Sequence, residues 1–187
     1  GRVGPTLKQI EETYKDQVQI VFKQNPLPFH PNAKPAALAS LAAHRQGKFW
    51  PMHDKLFQDT KVLTPETFDR YATELGLNMA KFKKDIADPA LAKQIEAEQA
   101  LSNQLGARGT PAGFINGKNM RGAQPFEAFK AKIDEEMKKA DEMLKKGIAA
   151  GKLYDEIIRT GLDKVAAGAP GAAGGAPVGN VRYKAEV

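Results

Sequence analysis

Leu7, Ile10 and Tyr14 recur at three- and four-residue spacing near the start of the chain, which predicts a short helix with one apolar face, and Gly4-Pro5 can begin it. Directly after it, VQIVF at residues 18–22 is a nearly continuous β-rich apolar run, which predicts a strand buried on both faces of a parallel sheet. NPLPFHP breaks the chain. From about residue 35 to residue 57 the pattern predicts two helices, the second with Phe49, Met52, Leu56 and Phe57 at helical spacing. Thr64-Pro65-Glu66 reads as a cap with proline at the first helical position, and Gly76 as the end of that helix. Asn78 and Asp88-Pro89 start two more, the second carrying Leu91, Ile95, Leu101 and Leu105 and stopping at Gly106.

After Gly109-Thr110-Pro111 the period changes. Residues 112–116 and 118–121 flank Asn116-Gly117, the strongest two-residue hairpin signal, and predict an antiparallel pair. Pro125 then opens a long amphipathic helix with Phe126, Phe129, Ile133, Met137 and Leu144 at its apolar positions, and a shorter helix from Lys152 ends at Gly161. Together these give strand, hairpin and helix around a helical insertion. Residues 166–179, AAGAPGAAGGAPVG, read as a flexible linker that would span roughly 20 Å as a coil. VRYKAEV at 181–187 alternates apolar and charged positions and predicts a half-buried strand.

Composition narrows the chemistry. With 187 residues and 42% hydrophobic content the chain can bury one sizeable core. No run approaches the roughly 20 apolar residues of a membrane helix, so no membrane span is expected, and the opening Gly1-Arg2-Val3-Gly4-Pro5 reads as internal to a longer gene product. The net charge is +6, but the signs alternate along stretches such as AKIDEEMKKADEMLKK, the pattern of a solvated helix face, so no nucleic-acid partner is expected. The absence of cysteine excludes disulfides, thiolate catalysis and Cys-ligated zinc within these residues. His30, His44 and His53 show no metal-ligand spacing and read as solvated or capping side chains; no metal and no cofactor is expected. Glu11-Glu12 and Asp134-Glu135-Glu136 diverge around their helices by about 100° per residue and read as wet surface. Pro111, from its neighbours alone, reads as a trans proline at the mouth of an edge strand.

Two blocks change that last reading. GRVGPTLKQIEETYKDQVQIVFKQNPLPFHPNAKPAALASLAAHRQGKFWPMHDKLF, followed by LGARGTPAGFINGKNMRGAQPFEAFKAKID, resembles the DsbA-like branch of the thioredoxin superfamily over residues 1 to about 146. The resemblance implies an α/β, thioredoxin-like fold with a helical insertion at about 34–106, lacking the N-terminal central strand and the redox motif. It implies a Cys-x-x-Cys immediately before Gly1, so that this chain holds no catalytic residue itself. Arg2, Val3 and Pro5 would belong to the active-site helix, and Gly109, Thr110 and Pro111 to a substrate loop with a cis Thr110-Pro111 bond. The expected activity of the intact protein is thiol-disulfide exchange, as oxidoreductase or isomerase, on cysteine-containing protein or peptide substrates. A redox partner protein and an extracytoplasmic place, in the bacterial periplasm or cell envelope, come with that reading. The alternative is a redox-inactive thioredoxin-like module that binds peptides or serves structure. By the same resemblance residues 1–165 form one N-terminally incomplete domain, 166–180 a linker, and 181–187 the first strand of a following tandem domain.

Overall fold

The computed structural model describes residues 1–58 and 60–161. Two compact units divide them: Gly1 with residues 21–102, and residues 2–20 with 103–161. The linker and strand expected at 166–187 lie outside the described residues.

The first unit is helical. It holds α2 (Ala33–His44), α3 (Phe49–Gln58), α4 (Pro65–Glu74), α5 (Met79–Ile86) and α6 (Pro89–Gln104), of which the last two residues fall to the second unit. Local chemistry sets the boundaries. Thr64 Oγ1 accepts the backbone N–H of Thr67 at 3.3 Å to open α4, Asn78 Oδ1 accepts that of Lys81 at 2.9 Å to open α5, and Asp88 Oδ1 accepts that of Ala90 at 2.9 Å at the head of α6. Gly76 ends the run after α4 at φ +68, a left-handed value that a side chain would disfavour. Between the helices lies one core of Leu41, Met52, Leu56, Phe68, Ala72, Phe82, Leu91 and Ile95, in which Ala39, Ala42 and Ala43 of α2 are fully enclosed. Small residues on α2 let neighbouring helices approach closely. Arg45, just beyond α2, reaches Asp85 and Asp88 at 2.8 Å each and joins the ends of α2 and α5 to the head of α6.

The second unit holds α1 (Gly4–Tyr14), a 3-10 turn at Lys15–Gln17, the strands β1 (Ala112–Ile115) and β2 (Lys118–Arg121), α7 (Phe126–Lys145) and α8 (Ala150–Gly161). Asn116 and Gly117 both take positive φ, +46 and +84, which gives the hairpin the twist its strands need. The register pairs Ala112 with Arg121, Gly113 with Met120, Phe114 with Asn119 and Ile115 with Lys118. Ile10 and Tyr14 of α1 meet Phe129 and Ile133 of α7, with Val3, Leu7, Val18, Ile20, Ile115 and Met120 against them. Tyr14 donates its hydroxyl to Asp134 at 2.7 Å across that helix pair.

Residues 18–22 do not form the strand their composition predicts. Val18 is extended (φ −125, ψ 132), yet the described residues contain one sheet, the two-stranded β1–β2. Nor is the segment buried on both faces: Val18, Ile20 and Phe22 are half-buried, whereas Val21 is 44% exposed. A strand is a hydrogen-bonded pair before it is an extended segment, and no neighbour here offers the ladder.

Candidate functional site

The residues singled out by sequence belong to the second unit. Val3 stands at the N-terminal boundary of α1 in helical geometry, and no side chain caps it; Pro5 occupies the first turn, where its missing N–H costs nothing. Arg2 and Pro5 are exposed and Val3 is half-buried. The N-terminus of α1 therefore presents backbone N–H groups at the positive end of the helix dipole.

Gly109 and Thr110 are exposed, Pro111 is half-buried, and the Thr110–Pro111 peptide bond is cis. Pro111 accepts the backbone N–H of Gly122 at 3.1 Å, so the loop feeds straight into the hairpin. A two-residue turn makes Ile115–Lys118 and Gly113–Met120 the hydrogen-bonded pairs, and the backbone groups of Ala112 and Phe114 consequently point away from β2. Ala112 and Phe114 are also the exposed side chains of β1, Phe114 at 37%. The shared core brings the two candidate sets into one structure: Val3 packs into the cluster that also takes Ile115 and Met120 from the hairpin. What this arrangement can do is offer the main chain of the exposed Gly109 and Thr110 to a peptide in extended form.

Other side chains differ from their sequence reading. His53 is not solvated: its side chain is 17% exposed, and its ring lies 5.2 Å from Phe22, 5.3 Å from Trp50 and 4.6 Å from Phe57 between centroids. Burial pushes its pKa below the ordinary 6.5, opposed by Asp54, whose carboxylate lies 3.0 Å from Nδ1. Burial does the same to His44. Glu136 is likewise no wet surface residue; it is 3% exposed and meets Lys139 at 2.7 Å, while Glu135 between Lys132 and Lys139 is pushed down to about 2. Nor did periodicity mark Glu98, 2% exposed, which accepts the backbone N–H of Gln24 at 2.6 Å and the side-chain amide of Gln94 at 3.2 Å. The only advance signal for the aromatic cluster is FWPMHDKLF itself, which puts Phe49, Trp50, His53 and Phe57 on one side of α3 at spacings of one, three and four. Among the described residues no group of three or more His, Cys, Asp or Glu side chains could hold a metal ion, and no helix is long and apolar enough to cross a membrane.

The depressed histidines imply a direction. Both are held neutral in the folded state and become easier to protonate when the chain unfolds, so stability is full above pH 6.5 and declines as the pH falls from there through the lower folded values. The urea midpoint is expected to drop between pH 7.5 and pH 5.5, before carboxylates titrate, and His53→Phe to flatten that drop; equal slopes in the two proteins would discard the assignment.

Residues 5–134 match the model of the DSBA-like thioredoxin domain, a stretch that includes α1 from Pro5 onward, α2 to α6, the loop at 109–111 and the hairpin. Among curated relatives, "Na(+)/H(+) antiporter NhaA" of Herminiimonas arsenicoxydans is 40% identical over 121 residues, covering 65% of this chain and 19% of that protein. "Na(+)/H(+) antiporter NhaA 3" of Salinispora tropica is 34% identical over 134 residues, covering 71% and 20%. The chain thus spans about a fifth of the length of the curated relatives it matches. Among solved structures, a periplasmic thioredoxin-like protein from Salmonella enterica serovar Typhimurium superposes with a TM-score of 0.61 at 23% identity, covering 72% of this chain and 74% of that one. The chain, a helix-rich thioredoxin-like fold with a two-stranded sheet, belongs to the DSBA-like thioredoxin domain family.

Proposed function

We propose that this domain carries out thiol-disulfide exchange on protein substrates, with a Cys-x-x-Cys immediately before Gly1 supplying the thiols and residues 109–111 receiving the substrate. The observation that carries the reading is the family match across residues 5–134, which takes in α1 from Pro5 onward and the loop. Two physical features support it. An uncapped helix N-terminus stabilises a thiolate placed before it, lowering its pKa and favouring the reduced form. The exposed Gly109 and Thr110 offer main-chain groups with which a substrate in extended form could pair beside the disulfide.

In the oxidising direction a substrate thiolate attacks one sulfur of the protein disulfide, a mixed disulfide forms, and the other protein sulfur leaves as a thiolate. The second substrate thiolate then attacks the mixed disulfide. Two electrons pass to the protein, which ends as a dithiol, and the substrate ends with one disulfide. Residues 1–165 would form this domain, 166–180 a linker and 181–187 the start of a second, and an extracytoplasmic location fits the chemistry and the periplasmic neighbour.

A second reading is a redox-inactive module for peptide binding or structure. It is favoured by the absence of cysteine from all 187 residues and by antiporter-named relatives in which the matched region is about a fifth of the protein. A chain extended upstream of Gly1 decides between them: it should oxidise or reduce a test peptide, and an upstream sequence without both cysteines, or no exchange, leaves the binding module. In the active chain Thr110→Pro removes the backbone N–H offered to the substrate, and mixed-disulfide formation with a cysteine peptide is expected to need about tenfold more peptide. An unchanged concentration dependence would remove Thr110 from the substrate loop.

A further inference from the structure

Within the second unit β2 and α7 bound a shallow groove of about 530 Å³, open to solvent. One wall is the consecutive stretch Asn119, Met120 and Arg121 of β2. The other is Ala128, Ala131, Lys132 and Glu135 of α7, spaced three and four apart and so on one face of the helix. That face is not the one turned to α1, which carries Phe129, Ile133 and Met137. The groove exists because α7 places alanine at two positions beside β2, where a longer side chain would fill the space. From Ala128 to Glu135 the wall runs about 10 Å, room for roughly three residues of extended chain.

An occupant meets two kinds of surface. Met120, Ala128 and Ala131 make the floor apolar, and at one end stands Arg121, exposed and without an ion pair among the described residues. The other charges in the groove are already engaged: Lys132 meets Glu135 at 2.7 Å, and Glu135 also holds Lys139 at 2.7 Å. The Arg121 carbonyl accepts the side-chain amide of Gln124 at 2.9 Å, which leaves recognition at this end to the guanidinium. From Arg108 to Phe126 the sequence carries the basic side chains Arg108, Lys118 and Arg121 and no acidic one, so the hairpin itself supplies no counter-charge. Alternation along β2 turns Met120 and Arg121 to opposite faces.

We propose that this groove binds a short extended segment of a protein partner in which apolar and acidic residues alternate, the apolar ones over Ala128 and Ala131 and a carboxylate on Arg121. The alternation of such a segment matches that of β2, and a guanidinium takes a carboxylate through two parallel hydrogen bonds. The groove ends one residue before Gly122, whose N–H bonds the Pro111 carbonyl at 3.1 Å, so it continues toward the exposed main chain of Gly109 and Thr110. All of its residues belong to the hairpin, the turn after it and α7, and the binding requires no thiol.

The probe is a fluorescein-labelled heptapeptide of alternating valine and glutamate, titrated with the full 187-residue chain and followed by anisotropy. It is expected to bind about tenfold more tightly than the same peptide with lysine in place of glutamate, and Arg121→Glu to weaken it about tenfold. Ala131→Phe fills the groove from an exposed position and should weaken binding by a similar factor, with the far-UV circular dichroism of the parent. The chain carries a net charge of +6, so Lys145→Glu, at the exposed far end of α7, makes the same charge change outside the groove and should leave binding as it was. No saturation below about 1 mM, equal affinity for the two peptides, or an equal loss from Lys145→Glu and Arg121→Glu overturns the proposal. So does an Arg121→Glu effect without an Ala131→Phe effect, which would reduce the site to charge alone.

Discussion

Phe82→Ala is expected to cost about 4 kcal/mol, the largest loss from any single truncation in the helical unit. Phe82 is 0% exposed and sits where α5 meets the core of α2, α3, α4 and α6. Truncation forfeits both the transfer free energy of the ring and the contacts of the atoms that lined it, and helices fixed by side-chain packing collapse only partly into the gap. With domains stable by roughly 5–15 kcal/mol, the loss brings the unit near its unfolding threshold. Trp50 is the single tryptophan and lies in the same unit, so urea unfolding followed by its fluorescence reads the effect directly. Phe114→Ala, at an exposed strand position, supplies the contrast at under about 1 kcal/mol. Similar midpoints for the two variants would contradict this account of the core.

Glu98→Ala should lose about 3 kcal/mol, for a different reason. The carboxylate is buried, and it is the acceptor for the backbone N–H of Gln24 at 2.6 Å, with the Lys23 ammonium at 3.5 Å. Gln24, 5% exposed, passes the network on by donating its amide to Ser40 Oγ at 2.9 Å, and Gln99 donates to the carbonyl of Pro26 at 2.6 Å. One face of α6 thus clamps residues 23–26, which otherwise would have no regular structure to satisfy their backbone. Alanine leaves the Gln24 N–H buried without its partner, and the cost is the desolvation of that group more than the loss of an ion pair. Lys23 is 28% exposed at its side chain, so Lys23→Ala should cost under about 1 kcal/mol and respond to salt, whereas Glu98→Ala should not. A Glu98→Ala midpoint within experimental error of the parent would refute the clamp.

The helices and hairpin were legible because their signals are local. Thr64 with Pro65, Asn78, Gly76 and the Asn116-Gly117 turn each fix backbone geometry within a few residues, and the chain has elements at those places. The family resemblance likewise rests on contiguous blocks. Residues 18–22 misled because apolar β-branched composition reports a preference, while strand formation depends on a neighbour that composition does not contain. The enclosure of His53 was hidden for a related reason: its contact with Phe22 joins residues 31 positions apart, and periodicity marks which side of a helix is covered without saying by what. Glu98 and Glu136 were hidden by their charge, since an acidic residue on a helix is ordinarily solvated unless a partner from elsewhere comes to meet it.

The pairing of α1 with α7 joins residues as far apart as Tyr14 and Asp134, with the whole stretch 21–102 between them. On a ribosome adding roughly 5–20 residues per second, the apolar stripe of Leu7, Ile10 and Tyr14 waits on the order of ten seconds for its cover. During that interval α2 to α6 emerge in succession and can find one another across short connections, while α1 remains a naked amphipathic helix at the leading end of this stretch. Nascent-chain quality control, not the finished protein, is therefore where this arrangement is most exposed: α1 is made before α2 to α6 and covered after them.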